Sequence, residues 1–291
     1  MSTLAPVVDA HHHLWEVGPD DMGWTREFPV LHRSFRLAEL EPELAGQGID
    51  ATVLVQSLAD LQETREMLAL AAGSAVVAGV VGWVDLAAPD VAEQLAGLAE
   101  GPGGERLVGI RHLVQAEPDP RWLLLPEVLR GLQEVAAAGL AYDLLIRAHQ
   151  LPVAVEVARA LPHLRLVLNH GGQPAIAFGS LEPWASDIAA LAEHPNVACK
   201  LSGLVTQADA GWTIDEIRPY AAHLVDVFGT DRLMAGSDWP VCLLRATYGE
   251  VAILGRELIG KLSVIEQAQV LGGTAIERYR LALQWKGSDS A

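Results

Sequence analysis

The chain repeats one pattern eight times: a short apolar run typical of a buried β-strand, followed by a segment with helical features. The runs cover residues 7–13, 51–56, 76–85, 107–110, 141–146, 166–169, 197–200 and 232–236. Strands that alternate with helices form parallel sheets with right-handed crossovers. Eight such units close into a (β/α)8 TIM barrel, which needs about 250 residues. We therefore predict an α/β protein, a single barrel domain over residues 1–291.

An open doubly wound sheet is the alternative arrangement of the same units. That fold usually carries a Gly-rich phosphate-binding turn after its first strand. The first strand here runs instead into Asp9-Ala10-His11-His12-His13. The sequence therefore favours the closed barrel.

Composition limits the partners and the location of the protein. The chain is 51% hydrophobic, has a formal net charge of -17 and contains only two cysteines, Cys199 and Cys242. No Lys/Arg cluster supplies the basic face that nucleic acid requires, and no apolar run approaches the ~20 residues that span a bilayer. Two cysteines form no disulfide framework or cysteine-based zinc site. With no recognisable signal peptide, we expect a cytoplasmic monomer or homo-oligomer that acts on a small molecule.

Polar side chains gather at the predicted carboxyl ends of the strands, where (β/α)8 barrels place their active sites. Residues two apart on a strand share a face, so His11 and His13 can together hold one metal ion or one water molecule. A purification tag or a polar strand end without chemistry could also produce a histidine run. The apolar strand around it and the polar residues at other strand ends argue against both origins. Those other residues are Gln56, Asp85, Arg111, His112, His170, Lys200 and Asp238.

Three strand ends carry motifs of a known family. Val-Asp-Ala-His-His-His at 8–13, Asn-His-Gly-Gly at 169–172 and Gly-Ser-Asp-Trp-Pro at 236–240 resemble the amidohydrolase superfamily. The closer similarity is to the amidohydrolase-related branch that contains sugar lactonases and 2-pyrone-4,6-dicarboxylate lactonase, with supporting stretches at 81–86, 109–112 and 199–204. The resemblance extends over nearly the whole chain. It implies a (β/α)8 fold and hydrolysis of a small lactone, above all a sugar-acid lactone of the L-fucono-, L-rhamnono- or L-galactono- type.

The resemblance also bears on metal content. Binuclear members of the superfamily place a bridging lysine on strand four and a histidine at the end of strand five. This chain has Arg111 and His112 at the first position, and His149 lies past the second. We therefore expect at most one divalent ion, Zn²⁺, held by His11, His13, His170 and Asp238. Some members of this branch work without a metal, so a metal-independent site is the other expectation.

Opening a lactone needs an activated water, a polarised carbonyl and a proton for the leaving alkoxide. Asp238 is the predicted general base, because a free Asp has a pKa of about 3.9 and is ionised at neutral pH. His11 and His13 would orient the water. His170 and Lys200 are the candidates for stabilising the oxyanion, although Lys200 could instead pair with a neighbouring carboxylate.

Seven residues are predicted substrate contacts. Arg111 offers a forked donor set for a carboxylate or for vicinal hydroxyls. Aromatic rings could form an apolar wall against a sugar, although core packing fits them equally well. The full set is Arg111, His112, Trp15, Trp24, Trp239, Gln56 and His149. The irregular segment 16–36 is expected to select the substrate, because long loops over a barrel mouth carry function.

Two other functions fit the same barrel. One is a metal-dependent decarboxylase of an aromatic or unsaturated acid, since related proteins with His-x-His, His and Asp catalyse that reaction. The other is a non-catalytic small-molecule binder, which should have lost the base or its water-holding partners. Asp238, His11 and His13 are all present, which favours an enzyme.

Overall fold

The computed structural model describes residues 5–17 and 23–283, which contain eight parallel strands that pair in sequence order. The strands are β1 (Val8–His12), β2 (Ala51–Val55), β3 (Val77–Gly82), β4 (Leu107–His112), β5 (Ala141–Leu144), β6 (Arg165–Leu168), β7 (Val197–Leu201) and β8 (Leu233–Ala235). The chain after β8 returns to β1: the amide of Asp238 donates to the His11 carbonyl at 2.8 Å, and that of His13 donates to the Trp239 carbonyl at 2.6 Å. The predicted (β/α)8 barrel is confirmed.

Helices follow the strands and pack outside the barrel. They are α1 (Leu37–Gln47), α2 (Leu61–Ala72), α3 (Val91–Glu100), α4 (Pro126–Ala137), α5 (Leu151–Ala160), α6 (Trp184–Ala192), α7 (Ile214–Phe228), α8 (Tyr248–Leu258), α9 (Val264–Ala268) and α10 (Thr274–Tyr279). Within the described ranges, no helix is long and apolar enough to cross a membrane.

The strands are buried on both faces, as expected for a parallel sheet covered by helices. Small and β-branched side chains fill the barrel interior, and Ala275, Ile276 and Tyr279 near the C-terminus join that cluster. A π-helical turn at Gln269–Gly273 links α9 to α10. A Cβ on Gly272 would lie 1.8 Å from the Pro6 carbonyl oxygen. Only glycine therefore allows this segment to pack against the chain leading into β1.

A register shift between Asp9 and His12 marks a bulge in β1. Asp9 accepts hydrogen bonds from the Ser237 hydroxyl (2.6 Å) and amide (2.8 Å) and from the Tyr248 hydroxyl (3.1 Å). His12 contacts the Thr52 hydroxyl at 2.9 Å. Bulges redirect neighbouring side chains, and this one leaves Asp9 to fasten the turn after β8 while His11 and His13 share another face.

Candidate active site

Three histidines and one aspartate meet at the carboxyl ends of the strands. The Nε2 atoms of His11 and His13 lie 3.1 Å apart. Oδ1 of Asp238 lies 3.7, 3.5 and 3.8 Å from the Nε2 atoms of His11, His13 and His170, respectively. All four side chains are buried. The structure thus brings together the residues that the sequence assigned to base and metal roles; we name them the His–Asp cluster.

Two members of this cluster have a left-handed backbone. His170 has φ 55° and Asp238 has φ 59°, a region that costs non-glycine residues about 1–3 kcal/mol each and is concentrated at functional sites. Room for the His170 ring comes from Gly203, where a Cβ would lie 2.4 Å from His170 Nδ1. The local backbone is therefore shaped to aim these two side chains at one point.

A charged layer, which we name the floor, lies directly beneath the cluster. Lys200 Nζ donates to Asp143 Oδ2 at 2.7 Å, and Asn169 Nδ2 donates to the same oxygen at 2.9 Å. The Tyr279 hydroxyl donates to Asp143 Oδ1 at 2.7 Å. Lys200 is fully buried and does not border the open cavity. Lys200 thus pairs with a neighbouring carboxylate, the alternative to an oxyanion role that the sequence left open. The floor consists of His11, Arg111, Asp143, Asn169 and Lys200.

The hydrogen bonds assign the protons on two histidines. His13 Nδ1 lies 2.7 Å from the Val55 carbonyl, which only accepts, so His13 Nδ1 carries the proton and its Nε2 accepts. Lys200 Nζ lies 3.1 Å from His11 Nδ1, and an ammonium only donates. Arg111 Nη1, also a donor only, lies 3.4 Å from His11 Nε2, but the shorter contact to Lys200 favours a neutral His11 with its proton on Nε2, 3.1 Å from His13 Nε2.

Burial sets the protonation of the cluster. Loss of hydration, together with the nearby cations Lys200 and Arg111, lowers the pKa of His11 and His13 well below 6.5. Loss of hydration also lowers the pKa of His170 to about 4, against the opposing influence of the Asp238 carboxylate. These histidines are neutral at pH 7. Burial raises the pKa of Asp238, against the opposing influence of His170 and the two cations. A carboxylate with a raised pKa is a stronger general base.

Arg111 is held rigidly between neighbouring strands. Its Nη1 donates to Asn169 Oδ1 at 3.2 Å and lies 3.4 Å from His11 Nε2, and its Nη2 donates to the Gln56 carbonyl. The Gln56 side chain donates back to the Arg111 carbonyl at 3.2 Å. Arg111 borders the cavity, whereas Gln56 positions Arg111 from behind it.

An open cleft of about 960 Å³ lies above the cluster. Arg111, Trp24, His13, His170 and Asp238 from the predicted set border it. Sequence reasoning missed its polar side, which we name the wall: Ser57, Gln115, Gln173, Thr206 and Gln207. Each wall residue follows a strand by two to six positions. That placement after a strand is the signal that could have found them.

Two predicted substrate contacts lie away from the cleft. His112 Nε2 contacts Glu117 at 2.6 Å, the Trp83 indole donates to its Nδ1 at 3.0 Å, and its ring stacks on Trp122. Adjacent strand residues face opposite ways, so with Arg111 pointing inward His112 points toward the helices. His149 is exposed past the end of β5.

Two of the three tryptophans that were predicted to contact the substrate pack in the core instead. Trp15 and Trp239 are 5% and 4% exposed, and both pack edge-on against Phe35. The Trp15 indole donates to the Arg33 carbonyl at 2.9 Å. Trp24 alone of the three borders the cleft, 39% exposed. Residues 18–22 of the expected substrate loop lie outside the described residues.

The spacing of the His–Asp cluster suits one metal ion. Tetrahedral zinc, with bonds of about 2.0–2.2 Å, separates its ligand atoms by roughly 3.3–3.6 Å, and the separations here are 3.1–3.8 Å. His11, His170 and Asp238 offer ligand atoms that all lie within 4.8 Å of one another. A charged Lys200 opposes binding, because it keeps the proton on His11 Nε2. The residues fit a divalent ion by position, and Lys200 is the group that disfavours it.

The chain is similar to known proteins over most of its length. The Amidohydrolase family matches residues 8–281. L-fucono-1,5-lactonases from Burkholderia multivorans and Burkholderia ambifaria are 39% and 37% identical, each over 94% of this chain and 96% and 95% of their own lengths. A crystal structure of a Burkholderia multivorans amidohydrolase with bound zinc superposes with a TM-score of 0.91 at 38% identity, covering 95% of this chain and all of that one. The chain belongs to the amidohydrolase family.

Proposed function

We propose that this protein hydrolyses a sugar-acid lactone, with L-fucono-1,5-lactone as the first substrate to test. The observation that carries the proposal is that a buried carboxylate, Asp238, and a buried guanidinium, Arg111, border the same cleft, one side of which is lined by amide and hydroxyl groups. Opening an ester requires a carboxylate as the base and a cation to stabilise the oxyanion. Binding a polyol ring requires hydroxyl and amide groups that form hydrogen bonds with it. The identity to two L-fucono-1,5-lactonases supports the same substrate class.

In the proposed reaction, a water oxygen attacks the lactone carbonyl carbon while Asp238 takes the water's proton. The carbonyl oxygen becomes an oxyanion facing Arg111 Nη1, which is held by Asn169. Collapse of this intermediate breaks the bond from the carbonyl carbon to the ring oxygen. Protonated Asp238 then returns the proton to the leaving alkoxide, and the product is the open hydroxy acid. Proton transfer by a placed base is worth about 10²–10⁴ in rate, and charge stabilisation by one fixed donor about 10²–10³.

Of the histidines that border the cleft, His170 acts on the water, because both ring nitrogens of His13 already have partners. His13 Nε2 and His170 Nε2 lie 3.5 and 3.8 Å from Asp238 Oδ1, and both residues border the cleft. His170 Nδ1 contacts the Ser202 hydroxyl at 2.9 Å, a group that donates or accepts. His170 can therefore present either a lone pair or an N–H to the water. Zn²⁺, when bound, would be held by His11, His170 and Asp238 and would supply Lewis-acid polarisation.

A pH-indicator assay over a panel of sugar-acid and dicarboxylate lactones tests the proposal, with and without a chelator. We expect acid release from L-fucono-1,5-lactone or a close stereoisomer. No acid release from any lactone overturns the proposal, and CO₂ release from an aromatic or unsaturated acid would then identify the decarboxylase alternative.

A further inference from the structure

The loop between β2 and α2 carries a hydroxyl that the site described so far does not use. Ser57 is 7% exposed and borders the cleft. Its Oγ is buried and has no hydrogen-bond partner. Buried hydroxyls without a partner are uncommon, because each loses its hydration and gains nothing in return. Because Ser57 borders the cleft, a ligand that binds there can supply the partner that its hydroxyl lacks.

The backbone of this loop is fastened by one carboxylate. Glu63 accepts hydrogen bonds from the Ser57 amide at 3.0 and 3.1 Å and from the Leu58 amide at 2.9 Å. Asp60 caps α2 by accepting from the Gln62 amide, so Glu63 occupies the third helical position. A glutamate there usually reaches back to the amide of the capping residue. Glu63 reaches farther, to amides two and three positions before Asp60.

We propose that Ser57 Oγ binds one ring hydroxyl of the lactone and that Glu63 is the positioning residue that aims it. The inference rests on the proposed lactonase function and adds a determinant of which sugar is accepted. A hydroxyl both donates and accepts, so Ser57 matches a ring hydroxyl in either role. Glu63 stays out of the cleft and acts only through the loop backbone.

Four variants and a set of lactones that each lack one ring hydroxyl test the inference. Ser57→Ala should raise KM roughly three- to tenfold for the complete lactone, the usual effect of losing one hydrogen bond, with little change in kcat. For one deoxy-lactone, the one that lacks the hydroxyl bound by Ser57, the KM of Ser57→Ala should equal that of the parent enzyme. Glu63→Gln should raise KM in the same direction, and Ser57→Ala/Glu63→Gln should add little to it. Glu66→Gln is the control, because Glu66 lies exposed on the same helix.

Stability separates binding from a structural role. Ser57 Oγ makes no hydrogen bond, so Ser57→Ala should leave the free energy of unfolding in urea unchanged or slightly higher. Equal losses on every lactone, including all deoxy forms, would overturn the role of Ser57. Glu63→Gln indistinguishable from Glu66→Gln would overturn the role of Glu63. If Glu63→Gln does not fold, Glu63→Asp, which shortens the reach, replaces it.

A binding measurement tests the Ser57 contact separately from the proposed lactonase reaction. Calorimetric titration with the open hydroxy acids needs no turnover. If the parent enzyme opens no lactone but binds a hydroxy acid more tightly than Ser57→Ala does, the reaction is wrong and the contact stands. If it neither opens a lactone nor binds an acid, both proposals fail.

Discussion

The floor and the wall of the site are built on different principles. The floor is almost fully buried, with Asp143 accepting three hydrogen bonds and Lys200 contacting two partners. The wall lies on loops, four of its five residues are partly exposed, and its most buried member, Ser57, has an unpaired hydroxyl. The charges of the floor are paired without a ligand, whereas the Ser57 hydroxyl of the wall has no partner. Most of the floor therefore lies on rigid strands, and we expect selection of the substrate to lie on the loops that follow them.

The largest expected effect follows from removing the base above the floor. Asp238→Asn should lower kcat/KM by about 10²–10⁴, because the amide cannot accept the water's proton. Lactone hydrolysis followed by acid release measures the loss. Asp85→Asn is the matched control, since Asp85 is exposed beyond β3. Retention of activity in Asp238→Asn would assign the base to another residue.

The second prediction tests whether the floor depends on its ion pair. Lys200→Met should lower the free energy of unfolding by about 3–5 kcal/mol, because Asp143 is left as a buried charge without its cation. Urea denaturation at pH 7 measures the change. Lys200→Met/Asp143→Asn should recover part of the loss, since the amide no longer carries a charge. An unchanged unfolding midpoint in Lys200→Met would show that the pair contributes nothing to stability.

The same lysine provides a test of metal binding. With its ammonium removed, His11 Nδ1 can carry the proton and Nε2 becomes a free ligand atom. Lys200→Met/Asp143→Asn should therefore bind Zn²⁺ more tightly than the parent enzyme, because the ion no longer has to displace a proton from His11 Nε2, while the opposite charges removed with Lys200 and Asp143 largely cancel. Competition with a metal indicator dye measures the affinity. An equal or weaker affinity would mean that Lys200 does not oppose the metal.

The last prediction concerns Glu63, which fastens the loop that carries Ser57 of the wall. Burial raises the pKa of Glu63 to about 7, against the influence of its amide donors and Arg111, so the folded state holds this proton more tightly than the unfolded state does. The stability that Glu63 contributes is complete below about pH 4.5 and is lost as the pH rises through 7. Urea denaturation from pH 5 to 8 should show a shallower decline in Glu63→Gln than in the parent enzyme. Parallel curves for the two proteins would contradict the raised pKa.

The His–Asp cluster could be predicted from the sequence because the barrel geometry determines where its members lie. Strand alternation places His11 and His13 on one face, and carboxyl ends of parallel strands converge, so His170 and Asp238 had to approach them. The interior partner of Lys200 was not predictable, because Asp143 lies within the apolar strand β5 and only the closed barrel shows that the two side chains meet. Strand alternation also allowed only one of Arg111 and His112 to point inward without saying which.

The wall residues could not be predicted from the sequence, for a reason different from that for Asp143. A residue such as Gln173 or Gln207 lies on an irregular segment with no periodicity, and its direction depends on how the loop packs. For two tryptophans the error was the opposite, because the sequence predicted substrate contacts that the structure does not show. Trp15 and Trp239 are of a residue type that suits a sugar-binding surface, but both are buried in the core against Phe35. Side-chain type alone does not separate these two uses of an aromatic ring.

Tyr279 has a consequence for biosynthesis. Its hydroxyl reaches Asp143 from α10, 136 positions along the chain, so the floor gains its last hydrogen bond from a segment that is synthesised after all eight strands. A nascent chain that has been made as far as Asp238 holds every residue of the His–Asp cluster but still has Asp143 one donor short. The site is therefore finished only when α10 docks against the barrel, which couples completion of the active site to the folding of this later segment.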